Sequence, residues 1–227
     1  MGDRQVTGCT KMGCRNIKPS KSGFSLVELL LVVTIIIIIA AIAIPAIQRI
    51  NTTYKLDASA RSAASLIQQA RLQAVKSNQP VYAQYNTTST PNMVFANTDP
   101  SVTTYVAGNG DVALSSTVSF QTTGLPDHAQ LDAYMGVSGS PGSPKLQTGT
   151  VIGFNARGLP CVEGASGPAV CLQQDATGAT PVFAWFISDG RGSWSAVTVT
   201  PAGRVKSWHL TSLDATSKAC GYTACWQ

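Results

Sequence analysis

The chain has 227 residues, room for one globular domain plus an extended element, and only 12% of them are charged. Its formal charge of +5 is unevenly spread. Residues 1–23 hold Arg4, Lys11, Arg15, Lys18 and Lys21 against Asp3 alone, which leaves 11 Lys/Arg and 10 Asp/Glu from Phe24 onward. So balanced a body excludes any inference from net charge alone that the protein binds nucleic acid.

Residues 24–47 read FSLVELLLVVTIIIIIAAIAIPAI, and between Leu29 and Ile44 only Thr34 is not apolar. From Phe24 to Ile44 such a segment spans about 30 Å as a helix, the thickness of a bilayer core. The cations before it predict a cytoplasmic N-terminal side and a C-terminal part carried across the membrane. A secretory signal peptide has a shorter apolar core and then a small-residue cleavage site; this core is too long, and no such site stands out after it. A plain single-pass anchor explains the length but not Glu28, an acid just inside the run. In hydrocarbon that carboxylate costs about 2.5–3.5 kcal/mol and calls for a partner. Nor does a plain anchor explain the abrupt change of texture at Gly23-Phe24.

Lys21-Ser22-Gly23-Phe24 and Glu28 together resemble the class-III signal of the type IV pilin and type II secretion pseudopilin superfamily. That signal is a glycine, the cut, a hydrophobic residue and a glutamate fifth after the cut. Pro45 is the twenty-second residue after it, where pilins commonly carry a helix-kinking proline. The resemblance implies a leader of residues 1–23 removed by a prepilin peptidase, N-methylation of Phe24, and pairing of Glu28 with the Phe24 amine of a neighbouring subunit. Such a pair removes two costly buried charges together. It also implies a single-pass inner-membrane protein with a periplasmic C-terminal domain, later part of a periplasmic or extracellular filament. The implied partners are other pilin or pseudopilin subunits, the peptidase and an inner-membrane assembly platform.

Beyond the membrane span the spacing predicts that the helix continues. Ile47, Ile50, Tyr54, Ala60, Ala64, Ile67, Ala70 and Ala74 are expected on one face. Asn78-Gln79-Pro80 is a stop, because the residue before proline leaves helical geometry. Phe24–Ser77 is then about 80 Å of gently bent helix, membrane anchor in one half and domain spine in the other.

After Pro80 the texture changes to Thr, Ser, Gly and β-branched residues. Strands are predicted at Val81–Asn86, Asn92–Asn97, Val151–Asn155, Val182–Ser188, Ser195–Thr200 and Arg204–Leu210. Residues 98–149 read as loops around short strands, and Asp189-Gly190-Arg191-Gly192 and Pro201-Ala202-Gly203 as reversals. The expected fold class is α+β and pilin-like, a long N-terminal helix packed against a C-terminal antiparallel β-sheet domain. The expected divisions are a leader at 1–23, a helix at 24–78 with its transmembrane half at about 24–45, and a β-rich domain at 79–227.

Three short motifs narrow the resemblance to the GspH/FimT type of minor pilin. They are Ala70-Arg71-Leu72-Gln73-Ala74, the run from Val151 to Gly158, and Pro201-Ala202-Gly203-Arg204-Val205. The function implied is structural, a minor subunit that helps initiate or cap filament assembly, with a major pilin as an alternative.

Neither late cysteine pair, Cys161 and Cys171 or Cys220 and Cys225, has C-x-x-C spacing, and neither His128 nor His209 sits near enough in sequence to suggest a zinc site, so no metal or other cofactor is expected. In an exported domain they read as two disulfides. Three connectivities are open, the local pairs Cys161–Cys171 and Cys220–Cys225 being favoured, with free buried thiols as the alternative. No catalytic constellation stands out, and an enzyme is not expected. A further alternative is DNA uptake, since some FimT-like pilins bind DNA through Gly-Arg-x-Arg. This chain has Gly203-Arg204-Val205-Lys206, and a strand would put Arg204, Lys206 and Trp208 on one face to hold phosphate and stack a base. Lys206 in place of arginine loses the planar fork that binds phosphate with two bonds.

Overall fold

In the computed structural model, residues 25–87, 91–102, 111–138, 140, 143–164, 167–175, 177–212 and 220–227 are described. Helix α1, Leu26–Ser77, holds no glycine and one proline, Pro45. Its run of isoleucines is β-branched and a modest helix former in water, whereas a bilayer would require every backbone group to be satisfied within the segment and so favour the helix. The helix ends as the sequence predicts: Asn78 takes φ 53°, Gln79 N–H donates to the Ala74 carbonyl at 3.3 Å, and Pro80 follows. The chain divides into two units between Ala46 and Ile47.

The first unit, described from Ser25, is the helical stretch in which Leu26–Ile44 is long and apolar enough to cross a membrane. The second begins inside α1 at Ile47 and contains every strand. There Leu56, Ala60, Ala63, Ala64, Leu66, Ile67, Ala70 and Ala74 form the buried stripe. Ile47, Ile50 and Tyr54, expected on that face, are instead 62%, 54% and 71% exposed. At 3.6 residues per turn they point about 150° away from the centre of the stripe, so the expected single face is corrected to two.

The strands are β1 Val81–Asn86, β2 Met93–Asn97, β3 Val112–Ala113, β4 Ser119–Gln121, β5 Lys145–Gln147, β6 Val151–Phe154 and β7 Pro160–Gly164. Then come β8 Gly167–Leu172, β9 Pro181–Ser188, β10 Trp194–Val199, β11 Val205–Ser212 and β12 Cys225–Trp226. A short helix α2, Ala129–Met135, stands between β4 and β5. One sheet runs β3-β2-β1-β6-β7-β8 and the other β12-β11-β10-β9-β4. All pairs are antiparallel except β5, which lies parallel to the first half of β9 while β4 takes the second half.

Strand β9 explains the two cores. Phe183, Trp185 and Ile187 face the cluster shared with α1, β1, β2 and β6, whereas Val182, Ala184 and Phe186 face a second cluster capped by Leu131 and Met135 of α2. A strand covered on both sides needs a continuous apolar run rather than an alternating one, which is what Pro181–Ser188 provides. In the first cluster Tyr85 stacks on Phe120 at 3.9 Å and meets the edge of Trp185 at 5.1 Å. Burial pushes the Tyr85 phenol up to about 12, and burial with the Glu163 charge does the same to Tyr82.

Candidate functional site

Glu28 stands in the first turn of α1, where Leu29 N–H bonds back to the Ser25 carbonyl at 3.1 Å. It is the one ionisable residue between Leu26 and Ile44. The side chains around it, Leu26, Val27, Leu29, Leu30, Leu31, Val32 and Val33, are 44–78% exposed. A carboxylate in the positive first turn is favoured by the helix dipole, and a cation brought to that end would complete it. Gly23 and Phe24, read as the cleavage and methylation point, lie outside the described residues. Pro45 lies within α1; its ring nitrogen carries no hydrogen, so the helix forgoes the bond to the Ala41 carbonyl.

The three late motifs meet at one joint. Arg71 Nε donates to the Gly158 carbonyl at 2.9 Å and Nη2 to the Ala202 carbonyl at 3.4 Å. The two loops reached are of one kind. In Asn155–Leu159 and in Thr200–Arg204, the first and fifth residues are joined by a backbone bond of 3.0 Å, with a glycine in the left-handed region fourth. This is the three-residue hairpin loop whose last residue needs φ > 0. Asn155 Oδ1 and Thr200 Oγ1 accept backbone N–H groups within their loops. A Cβ on Gly203 would collide with the Gly158 carbonyl, so the two loops are in direct backbone contact.

At the other expected site, Lys206 and Trp208 share a face, as the strand period requires. Trp208, however, is only 7% exposed and belongs to the second core, its Nε1 donating to Thr198 Oγ1 at 2.8 Å. Lys206 Nζ sits 3.4 Å from the centre of the Trp208 ring, and the Tyr134 ring stands edge-on to it at 4.9 Å. The expectation that Trp208 offers an open ring to a base is therefore corrected: burial and a resident cation occupy it. Arg204 precedes β11 and is exposed.

Cys161 is bonded to Cys171 and Cys220 to Cys225, with Cα separations of 5.3 and 5.8 Å. Ser195 Oγ lies 3.4 Å from His209 Nδ1, but Ser195 is wholly buried and offers no nucleophile to a substrate. His128 Nε2 lies 3.6 Å from Asp132 Oδ2; burial pushes that carboxyl up, partly offset by His128. Among the described residues no group of His, Cys, Asp or Glu is placed to hold a metal ion. Sequence reasoning missed β7, β8, β12 and α2, and with them the Tyr134 edge that closes over Trp208.

A membrane-length helix with one acid at its head, followed by a helix stripe packed under antiparallel sheets, is an α+β arrangement of pilin type. The prokaryotic N-terminal methylation motif matches residues 18–44, and the type II transport protein GspH model matches residues 59–203, more than half of the chain. The chain belongs to the GspH family, a structural family of pilin and pseudopilin type. No curated protein and no solved structure matches it.

Proposed function

We propose that the protein is a minor pilin or pseudopilin that helps initiate or cap a filament. Residues 1–23 are its leader, removed between Gly23 and Phe24 by a prepilin peptidase that also methylates the Phe24 amine. Residues 24–78 are its helix and 79–227 its exported domain. Before assembly it sits in the inner membrane with the leader in the cytoplasm and the domain in the periplasm, in reach of an assembly platform.

The observation that carries this reading is Glu28, alone and exposed among apolar side chains in a segment of membrane length. An isolated carboxylate there is costly, and the methylated amine of a neighbouring Phe24 both neutralises it and fixes the register of two helices. On the second unit Ile47, Ile50 and Tyr54 are exposed, and Ile50, Thr53, Tyr54, Asp57 and His209 line a groove. These are contacts for other subunits. The structural role is preferred to DNA uptake because Trp208 is buried beneath Lys206.

Glu28→Ala tests the reading. The variant should insert into the membrane and be cleaved normally, yet enter filaments at least tenfold less than wild type, measured by immunoblot of sheared filament fractions. Normal incorporation of Glu28→Ala sinks the pairing argument.

A further inference from the structure

Residues 220–227 and helix α2 hold each other. Gln130 of α2 makes a reciprocal pair with Trp226: Nε2 donates to its carbonyl at 2.9 Å, and Oε1 accepts from its amide at 2.7 Å. Trp226 Nε1 donates to the Asp127 carbonyl at 2.9 Å. The ring is 1% exposed, packed in the second core with Leu131, Met135 and Phe186. On its other side β12 pairs with β11, and His209 and Gln227 exchange both backbone hydrogen bonds at 2.7 and 2.9 Å.

Neither element stands by its own strength. Helix α2 has seven residues; Asp127 Oδ1 accepts the Ala129 N–H at 3.0 Å and Gly136 closes the other end, but His128 supplies no side-chain cap. One so short is unstable in water without packing. Strand β12 has two residues. What fixes β12 covalently is the bond from Cys225 to Cys220, five positions earlier. A bond across so short a loop constrains the unfolded chain less than a long-range one, so its effect is local.

We propose that Cys220–Cys225 is a redox latch: its closure seats Trp226 against β11 and Gln130, and the order of α2 depends on it. Closure is a two-electron oxidation of the two thiols by exchange with a disulfide oxidant. The Sγ–Sγ bond forms, the oxidant's S–S bond breaks, and both thiol protons end on the oxidant's sulfurs. A subunit held in a reducing compartment then keeps this face open, and it completes the face after export. Linkage makes the coupling reciprocal, so contacts made only when β12 is seated must stabilise the disulfide by the same factor.

The test uses the full chain in detergent micelles, equilibrated across glutathione redox buffers. Thiols are trapped and counted peptide by peptide, so that Cys220–Cys225 is followed separately from Cys161–Cys171. Hydrogen exchange of peptides covering 127–135 is read in parallel. Protection of α2 should fall at least tenfold in the buffer range where Cys220–Cys225 opens, with β1 and β9 unchanged. Gln130→Ala should lower the equilibrium constant for the closed bond about tenfold. Should that variant not fold, Gln130→Glu, which keeps the acceptor and loses the donor, carries the same readout. Unchanged α2 protection with the bond open overturns the latch, as does an unchanged equilibrium constant in the variant. Loss of protection throughout the domain in the same range also overturns it, because the latch is local.

Discussion

Arg71 on α1 donates to the Gly158 carbonyl at 2.9 Å, and this bond ties the helix to the loop between β6 and β7. The same guanidinium reaches the Ala202 carbonyl, so a single planar fork secures two hairpin loops to the end of the helix. Arg71→Lys should lose that geometry, because an ammonium is a point donor rather than a fork. The expected cost is about 1.5–3 kcal/mol, the range for hydrogen bonds to a charged group. Arg71→Ala should cost as much or more. Denaturant unfolding of the full chain in micelles checks both; a change within experimental scatter of zero for Arg71→Ala would remove the joint from the argument.

Gly203→Ala should be harsher than either arginine variant. Its φ of +73° already disfavours a side chain, and the added Cβ has backbone, not a flexible side chain, in its way. Gly190, also at positive φ, has open space around it and serves as the control. Gly190→Ala should cost about 1–2 kcal/mol from backbone strain alone. If the two variants unfold at the same denaturant concentration, the backbone contact between the loops is not what constrains Gly203.

The same joint shows what was legible in the sequence. Arg71, Gly158 and Gly203 were each visible as members of short motifs, but nothing in a linear chain says that an arginine on a helix will satisfy carbonyls in two distant loops. The end of α1 at Ser77 was legible because Asn78 and Pro80 are local signals. Strand β9 was legible because burial on both faces leaves an unbroken apolar run. By contrast, α2 buries only Leu131 and Met135, one turn apart, and β12 is two residues long, so their stability comes from tertiary contacts and leaves little local pattern. Trp208 failed for a related reason. Period-two spacing correctly put it beside Lys206, yet the covering Tyr134 comes from that unrecognised helix. Ile47, Ile50 and Tyr54 keep helical spacing with the buried stripe in the sequence, but the apolar face changes sides between Tyr54 and Leu56.

Alkaline pH should weaken the fold through Tyr82 and Tyr85. Each phenol is raised from 10.0 to about 12 in the folded protein, by burial and, for Tyr82, also by the Glu163 charge. The native state therefore holds these protons more tightly than the unfolded chain. Their contribution is complete below pH 10, and it is lost as pH rises from 10 towards 12. The melting temperature should fall across that window, and Tyr85→Phe should flatten the fall. A melting temperature independent of pH between 10 and 12 contradicts the assignment.

Gly23→Ala addresses the other end of the chain. A peptidase that accepts only glycine before the cut should leave this variant as a full-length precursor, larger by the 23-residue leader and without a methylated amine. Intact-mass spectrometry of membrane fractions reads this directly. Mature protein beginning at Phe24 in the variant would contradict the proposed cleavage point, whatever the fate of the filament.

The stretch from Arg204 to Trp208 separates a structural from a receptor role. Trp208 fills part of the second core, so Trp208→Ala should cost about 3–5 kcal/mol through lost burial and the cavity left behind. Lys206 stacks on that ring, and Lys206→Ala should cost about 0.5–2 kcal/mol as the cation–π contact disappears. Neither loss involves a ligand. A receptor would behave differently, because each phosphate contact adds to the salt dependence of binding. Removing Arg204 and Lys206 together would then weaken DNA binding and flatten its salt slope by roughly two ion equivalents. The expected outcome is the structural one. Fluorescence anisotropy with a labelled duplex should give the same weak affinity and the same slope for wild type and Arg204→Ala/Lys206→Ala, while unfolding curves separate Lys206→Ala from wild type. A flattened slope at unchanged stability would reverse the order of the two readings.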